Sequence, residues 1–80
     1  MKVSVFGMGY VGVVSAACLL RDGHYVCGVD ISEDKVADLS NGRSPILEKD
    51  VPEYLAAGHA DGRLTATSDP VIGVRNADMV

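Results

Sequence analysis

The chain has 80 residues, of which 48% are apolar and 22% charged, and its formal net charge is −4. That balance belongs to a globular protein with a small core and not to a disordered chain. Acidity without a basic cluster argues against nucleic acid or an anionic membrane as the main partner, and no run is apolar long enough to span a bilayer. Lys2 precedes an apolar run, but three glycines interrupt it and an Arg-Asp-Gly turn follows where an export signal would carry a small-residue cleavage site. The sequence therefore reads as mature protein of a reducing cytoplasm. Cys18 and Cys27 have no metal-type spacing and sit in apolar surroundings, so both are expected to be buried free thiols.

Lys2 to Phe6 is a short β-rich run that ends in glycine and reads as a strand. Small and aliphatic residues from Val11 to Asp22 predict a helix, with Gly23 just past its end. Tyr25 to Val29 is a second strand, closed by Asp30. Ser32 is placed to cap a helix from Glu33 to about Asn41, which Gly42 stops. Ser44 to Leu47 is extended, because the residue before Pro45 avoids helical geometry. Asp50 is expected to cap a helix to about Ala60, with Pro52 in its first turn. After the Asp61-Gly62 turn, Leu64 to Thr67 is a weak strand, and Ser68-Asp69-Pro70 opens a helix to about Ala77. Asp78 to Val80 resembles the first residues of a further strand.

Alternating strands and helices call for an α/β fold with a parallel sheet. Right-handed crossovers put the first three strands in the order 3-2-1, the first half of a Rossmann-type doubly wound sheet, with a fourth strand beginning at the end of the chain. Residues 1–80 are then the N-terminal part of a dinucleotide-binding domain, and a chain ending inside a strand is expected to be a fragment of a larger protein. The first helix carries Val11, Val13, Val14, Ala16, Ala17, Cys18, Leu19 and Leu20 with almost no polar face, so a second domain or subunit is expected to cover its outer side.

Gly7, Gly9 and Gly12 form G-x-G-x-x-G between the first strand and its helix. In this pattern the first glycine turns the chain, the second leaves space for a pyrophosphate, and the third lets helix and strand pack closely. N–H groups around Tyr10, Val11 and Gly12 would face the phosphates at the positive end of the helix dipole. Asp30 follows Gly12 by eighteen residues, near the spacing of a carboxylate that binds the adenosine ribose. A 2′-phosphate there would meet a negative charge, which favours NAD over NADP. Lys35 sits in the first turn of its helix, where the dipole prefers acids, and is a candidate for the adenosine end of the cofactor. His24 and His59 make no catalytic or metal pattern and read as surface residues; Asp61, Asp69 and Asp78 read as turn and capping residues. No nucleophile or general base stands out, and no metal is expected.

The stretches "VFGMGYVGVV", "GHYVCGVDIS", "NGRSPILE", "GRLTATSD" and "NADMV" resemble, in order and spacing, the nucleotide-sugar 6-dehydrogenase family, which includes UDP-glucose and GDP-mannose dehydrogenases. "NGRSPILE" is closer in wording to the GDP-mannose branch. The resemblance implies an N-terminal NAD domain, a long helix that makes a dimer, and a C-terminal sugar-nucleotide domain. It further implies oxidation of the sugar C6 alcohol to a carboxylate by two hydride transfers to two NAD, through a thiohemiacetal and a thioester on a downstream cysteine that neither Cys18 nor Cys27 matches. Tyr10 and Val11 match positions that contact NAD, Asp30 the ribose carboxylate, and Lys35 a further cofactor contact. Where the family has Glu-Pro-Gly-Leu this chain has Glu48-Lys49-Asp50-Val51, which makes the shape of that loop an open question.

Overall fold

Alternation of Val3 and Val5 with Ser4 and Phe6 gives the first segment two faces, as a strand buried on both sides requires. A computed structural model describes residues 1–75 and 77–80. Its elements are β1 (Lys2–Phe6), α1 (Tyr10–Arg21), β2 (Tyr25–Val29), α2 (Glu33–Ser40), α3 (Val51–Ala60), β3 (Leu64–Thr67) and α4 (Pro70–Arg75). The strands are parallel, with β2 central between β1 and β3, which is the order 3-2-1 read from the β3 edge. Register pairs Val3 with Val26 and Val26 with Leu64, so the apolar residues of one face line up across the sheet. Beyond β1, Met79 makes an isolated parallel bridge to Val3, and its carbonyl accepts the Ser4 N–H at 2.9 Å. The expected fourth strand is present as this one bridge, on the open edge of β1.

One face of the sheet carries the core. Val13, Ala16, Ala17 and Leu20 of α1 pack with Val26 and Leu64 of the sheet, Leu39 of α2, and Val51 and Leu55 of α3. The other face receives α4, where a Cβ at Gly73 would stand 2.5 Å from a Val29 methyl, and the Ser4 hydroxyl donates to the Gly73 carbonyl. Part of the expected cover for α1 comes from this chain itself: α3 lies so close that a Cβ at Gly58 would come within 2.8 Å of the Leu20 side chain. Val11 is left 75% exposed.

Arg63 explains how the start of β3 is fixed. Its guanidinium donates to the carbonyls of Leu20 (2.8 Å) and His24 (3.1 Å) and to the Asp61 carboxylate (3.1 Å). It thus adds a second bond to the Leu20 carbonyl, which also accepts the Gly23 N–H at 3.0 Å, and ties down the His24 carbonyl in the loop after α1.

Several boundaries differ from the sequence expectation. α1 begins at Tyr10, not Val11, because Gly9 takes the cap position, and it ends at Arg21 with Asp22 as C-cap. α2 ends at Ser40, with Asn41 as its C-cap. Asp50 holds the N-cap position of α3 but its side chain makes no capping bond. Its backbone is left-handed (φ 68°), inside a turn closed by the Val51 N–H on the Glu48 carbonyl, and Pro52 removes one of the two N–H groups such a cap would reach. α4 is described over Pro70–Arg75 and does not include Ala77; Asn76 within the expected helix lies outside the described residues. Cys18 and Cys27 are free but only half-buried. Ser32 caps α2 as expected, accepting the Lys35 N–H at 3.4 Å, and Asp69 accepts the Val71 N–H at 2.9 Å.

Candidate functional site

At the carboxyl end of β1 the chain must reverse into α1 within three residues, and each glycine meets a different need of that turn. Gly7 adopts φ +86°, a conformation that L side chains rarely reach, while its N–H extends the sheet ladder to the Val29 carbonyl at 2.8 Å. Gly9 has ordinary extended geometry (φ −77°, ψ −164°), and a Cβ on it would meet nothing within 4 Å. At Gly12 a Cβ would lie 1.9 Å from the Gly7 carbonyl oxygen, so helix and turn touch backbone to backbone.

The first ladder bond of α1 runs from the Val13 N–H to the Gly9 carbonyl, at 2.9 Å. The N–H groups of Tyr10, Val11 and Gly12 therefore precede the ladder at the positive end of the helix, with no acidic residue in the first turn to occupy them.

Asp30, at the carboxyl end of β2, is drawn directly to this turn. One carboxylate oxygen accepts the Met8 N–H at 2.7 Å and the other accepts the Ser32 N–H at 2.8 Å. These two amides, Ser32 first and then Met8, with the nearby Lys35 charge, hold the Asp30 carboxyl below the usual carboxylate range. About four lone-pair directions exist on a carboxylate, so each oxygen can still accept a further hydrogen bond. A depressed carboxyl stabilises the fold fully above its unfolded value of about 3.9 and loses that contribution as pH falls through the folded value. Asp30→Ala is therefore expected to destabilise the protein at pH 7 and to do so less and less below about pH 4. Urea unfolding across that range measures it; an equal penalty at pH 3 and pH 7 would contradict the bonded carboxylate.

Lys35 is half-buried in the first turn of α2, on the Asp30 side of the site. Tyr10 is the first residue of α1, its ring 59% exposed, and its phenol donates to the Glu48 carboxylate. Val11 projects from the same turn. Gly7, Gly9, Tyr10, Val11, Gly12, Asp30 and Lys35 thus gather at the carboxyl ends of β1 and β2. A largely apolar cleft opens beside them, lined by Phe6, Gly7, Val29, Asp30, Ile31, Ser68 and Pro70, with Ile31 93% exposed. Ligands of open α/β sheets bind at this end of the strands.

Two residues here escaped the sequence reading. Met8, wholly buried, supplies the amide that fixes Asp30 and packs its thioether against Gly28. A glycine inside a strand marks such a close approach, and Gly28 was that signal. Glu48 carries no local signal of its role, since its partner Tyr10 lies 38 residues away.

The full length of the chain, residues 1–80, matches the model of the UDP-glucose/GDP-mannose dehydrogenase family, NAD-binding domain. The chain belongs to the UDP-glucose/GDP-mannose dehydrogenase family. It is 47% identical over 79 residues to GDP-mannose 6-dehydrogenase of Pseudomonas syringae, covering 99% of this chain and 18% of that protein. With UDP-glucose 6-dehydrogenase of Rhizobium meliloti the identity is 40%, over 100% of this chain and 18% of that protein. A solved ternary complex of GDP-mannose dehydrogenase from Pseudomonas aeruginosa superimposes with a TM-score of 0.93 at 41% identity, covering 100% of this chain and 19% of that one. The chain thus spans about a fifth of the length of these relatives. As the NAD-binding domain of this family it is a Rossmann-type α/β unit, and its cofactor is NAD. Among the described residues no helix is long and apolar enough to cross a membrane.

The donor set fits that cofactor. An open backbone at Gly9 and unused N–H groups suit a diphosphate, and the Asp30 carboxylate suits a ribose diol.

Proposed function

We propose that this chain is the N-terminal NAD-binding portion of a longer nucleotide-sugar 6-dehydrogenase of the cytoplasm, which oxidises the C6 alcohol of GDP-mannose to a carboxylate with two NAD. The observation that carries the site is the Met8–Asp30 bond, which fastens a ribose-type carboxylate to the glycine turn. Gly7 and Gly12 shape that turn, Gly9 leaves room for the pyrophosphate, and the N–H groups of Tyr10, Val11 and Gly12 face it. Asp30 accepts hydrogen bonds from the adenosine ribose, and Lys35, in the first turn of α2, contacts the adenosine end of the cofactor. Bound there, NAD supplies the hydride acceptor. The residues of this chain bind and orient it, and the nucleophile, most of the sugar-nucleotide contacts and the dimer-forming helix belong to parts of the protein outside these 80 residues.

The GDP-mannose branch is supported by the Pseudomonas relatives and by "NGRSPILE". UDP-glucose is the second reading, favoured by 40% identity to the Rhizobium enzyme. NADH absorbance decides between them, with the full-length protein, NAD and either GDP-mannose or UDP-glucose. GDP-mannose is expected to yield two NADH per sugar, and the 80-residue chain alone none. The same yield from UDP-glucose only would move the substrate. Silence with both sugars in a protein that binds NAD would replace the enzyme by a dinucleotide-sensing module.

A further inference from the structure

Tyr10 stands at the entrance to the glycine turn, and its exposed ring has little packing of its own to hold it there. Its phenol is instead tied to Glu48, 38 residues further on. Glu48 comes from a segment with its own anchors. Ser44 bonds the N–H and carbonyl of Ile46, the Val51 N–H closes on the Glu48 carbonyl, and Val51 and Ile46 pack into the core. The tie therefore joins an anchored loop to the first residue of α1.

We propose that Glu48 is a positioning residue for the dinucleotide, holding the Tyr10 ring at the mouth of the site through this hydrogen bond. The proposal rests on the assignment of the glycine turn to the cofactor. The bond has a direction with consequences. The phenol donates and a carboxylate only accepts, so the Tyr10 proton is spent on Glu48. The same bond, reinforced by the Glu48 charge, pushes the Tyr10 phenol above its ordinary range, so it stays protonated. Tyr10 then offers the cofactor its ring and its backbone N–H, and its hydroxyl serves to fix the ring. A carboxylate beside a diphosphate is electrostatically unfavourable in itself, so any benefit from Glu48 must come through Tyr10.

The test is NAD titration of the full-length protein and four variants: Glu48→Ala, Glu48→Gln, Tyr10→Phe and the double Glu48→Ala/Tyr10→Phe. Each of Glu48→Ala and Tyr10→Phe is expected to weaken binding about 3- to 10-fold, the scale of one hydrogen bond. The double variant should be no weaker than either single one. Glu48→Gln should bind almost as the parent does, because its amide oxygen still accepts the phenol proton. Additive losses, no rescue by glutamine, or tighter binding in Glu48→Ala would overturn the proposal. Carbon-13 NMR of Cζ-labelled tyrosine, with Tyr10 assigned by Tyr10→Phe, reads the tie without cofactor, and its resonance should move in Glu48→Ala. A parent protein that shows the tie but binds no NAD overturns the cofactor assignment and the positioning role with it. NAD binding with an unmoved Tyr10 resonance overturns the positioning role alone.

Discussion

Gly12→Ala is expected to destabilise the protein by more than about 3 kcal/mol, the upper end for overpacking, and to abolish cofactor binding. The added carbon would sit 1.9 Å from the Gly7 carbonyl oxygen and 3.0 Å from its carbonyl carbon. Both are backbone atoms of a turn whose φ of +86° is already fixed, so no rotamer change relieves the contact. α1 would have to lift from the turn, and Val13, Ala16, Ala17 and Leu20 would leave the core with it. Urea or thermal unfolding measures the loss. A variant as stable as the parent would show that the turn and the helix are farther apart than described.

Gly9→Val separates the site from the fold. Gly9 has a negative φ, and nothing lies within 4 Å of the position a Cβ would take, so the loss of stability is expected to stay near 1 kcal/mol, on the order of the cost of a poorer N-cap residue. On the proposed assignment this open space receives the pyrophosphate, and a branched side chain would fill it. NAD affinity is expected to fall more than about 100-fold, or roughly 2.7 kcal/mol. Calorimetric titration beside a melting curve reads both quantities. Normal NAD binding by a folded Gly9→Val protein would remove the pyrophosphate from this turn.

The contrast between these two glycines was legible in the sequence, because their spacing relative to a strand end and a helix start dictates different backbone needs. The alternating valines of β1 and the apolar face of α1 likewise announced the sheet and its helix. What stayed hidden depends on contacts remote in sequence. The tie from Tyr10 to Glu48 and the clasp of Arg63 on the Leu20 and His24 carbonyls each join residues about forty apart, and no local pattern encodes such pairings. Asp50 misled for a local reason: its residue type fits a cap, but its left-handed place within the Glu48–Val51 turn and the missing N–H of Pro52 leave the side chain without its target. The half-exposure of Cys18 and Cys27 follows from where helices fall on the sheet, which their apolar neighbours do not reveal.

Asp30 has a consequence for the evolvability of cofactor choice. On the proposed assignment of Asp30 to the adenosine ribose, the carboxylate that would repel a 2′-phosphate is also the acceptor for the Met8 and Ser32 amides, and so staples the glycine turn to the loop that opens α2. Swapping it for a neutral or basic residue to admit a phosphorylated ribose would remove the repulsion and both staples at once. A lineage drifting toward the other nicotinamide cofactor must first install substitute acceptors for these amides, so a single mutational step here passes through a loosened loop. On that assignment, selectivity would be buffered by architecture as well as by charge.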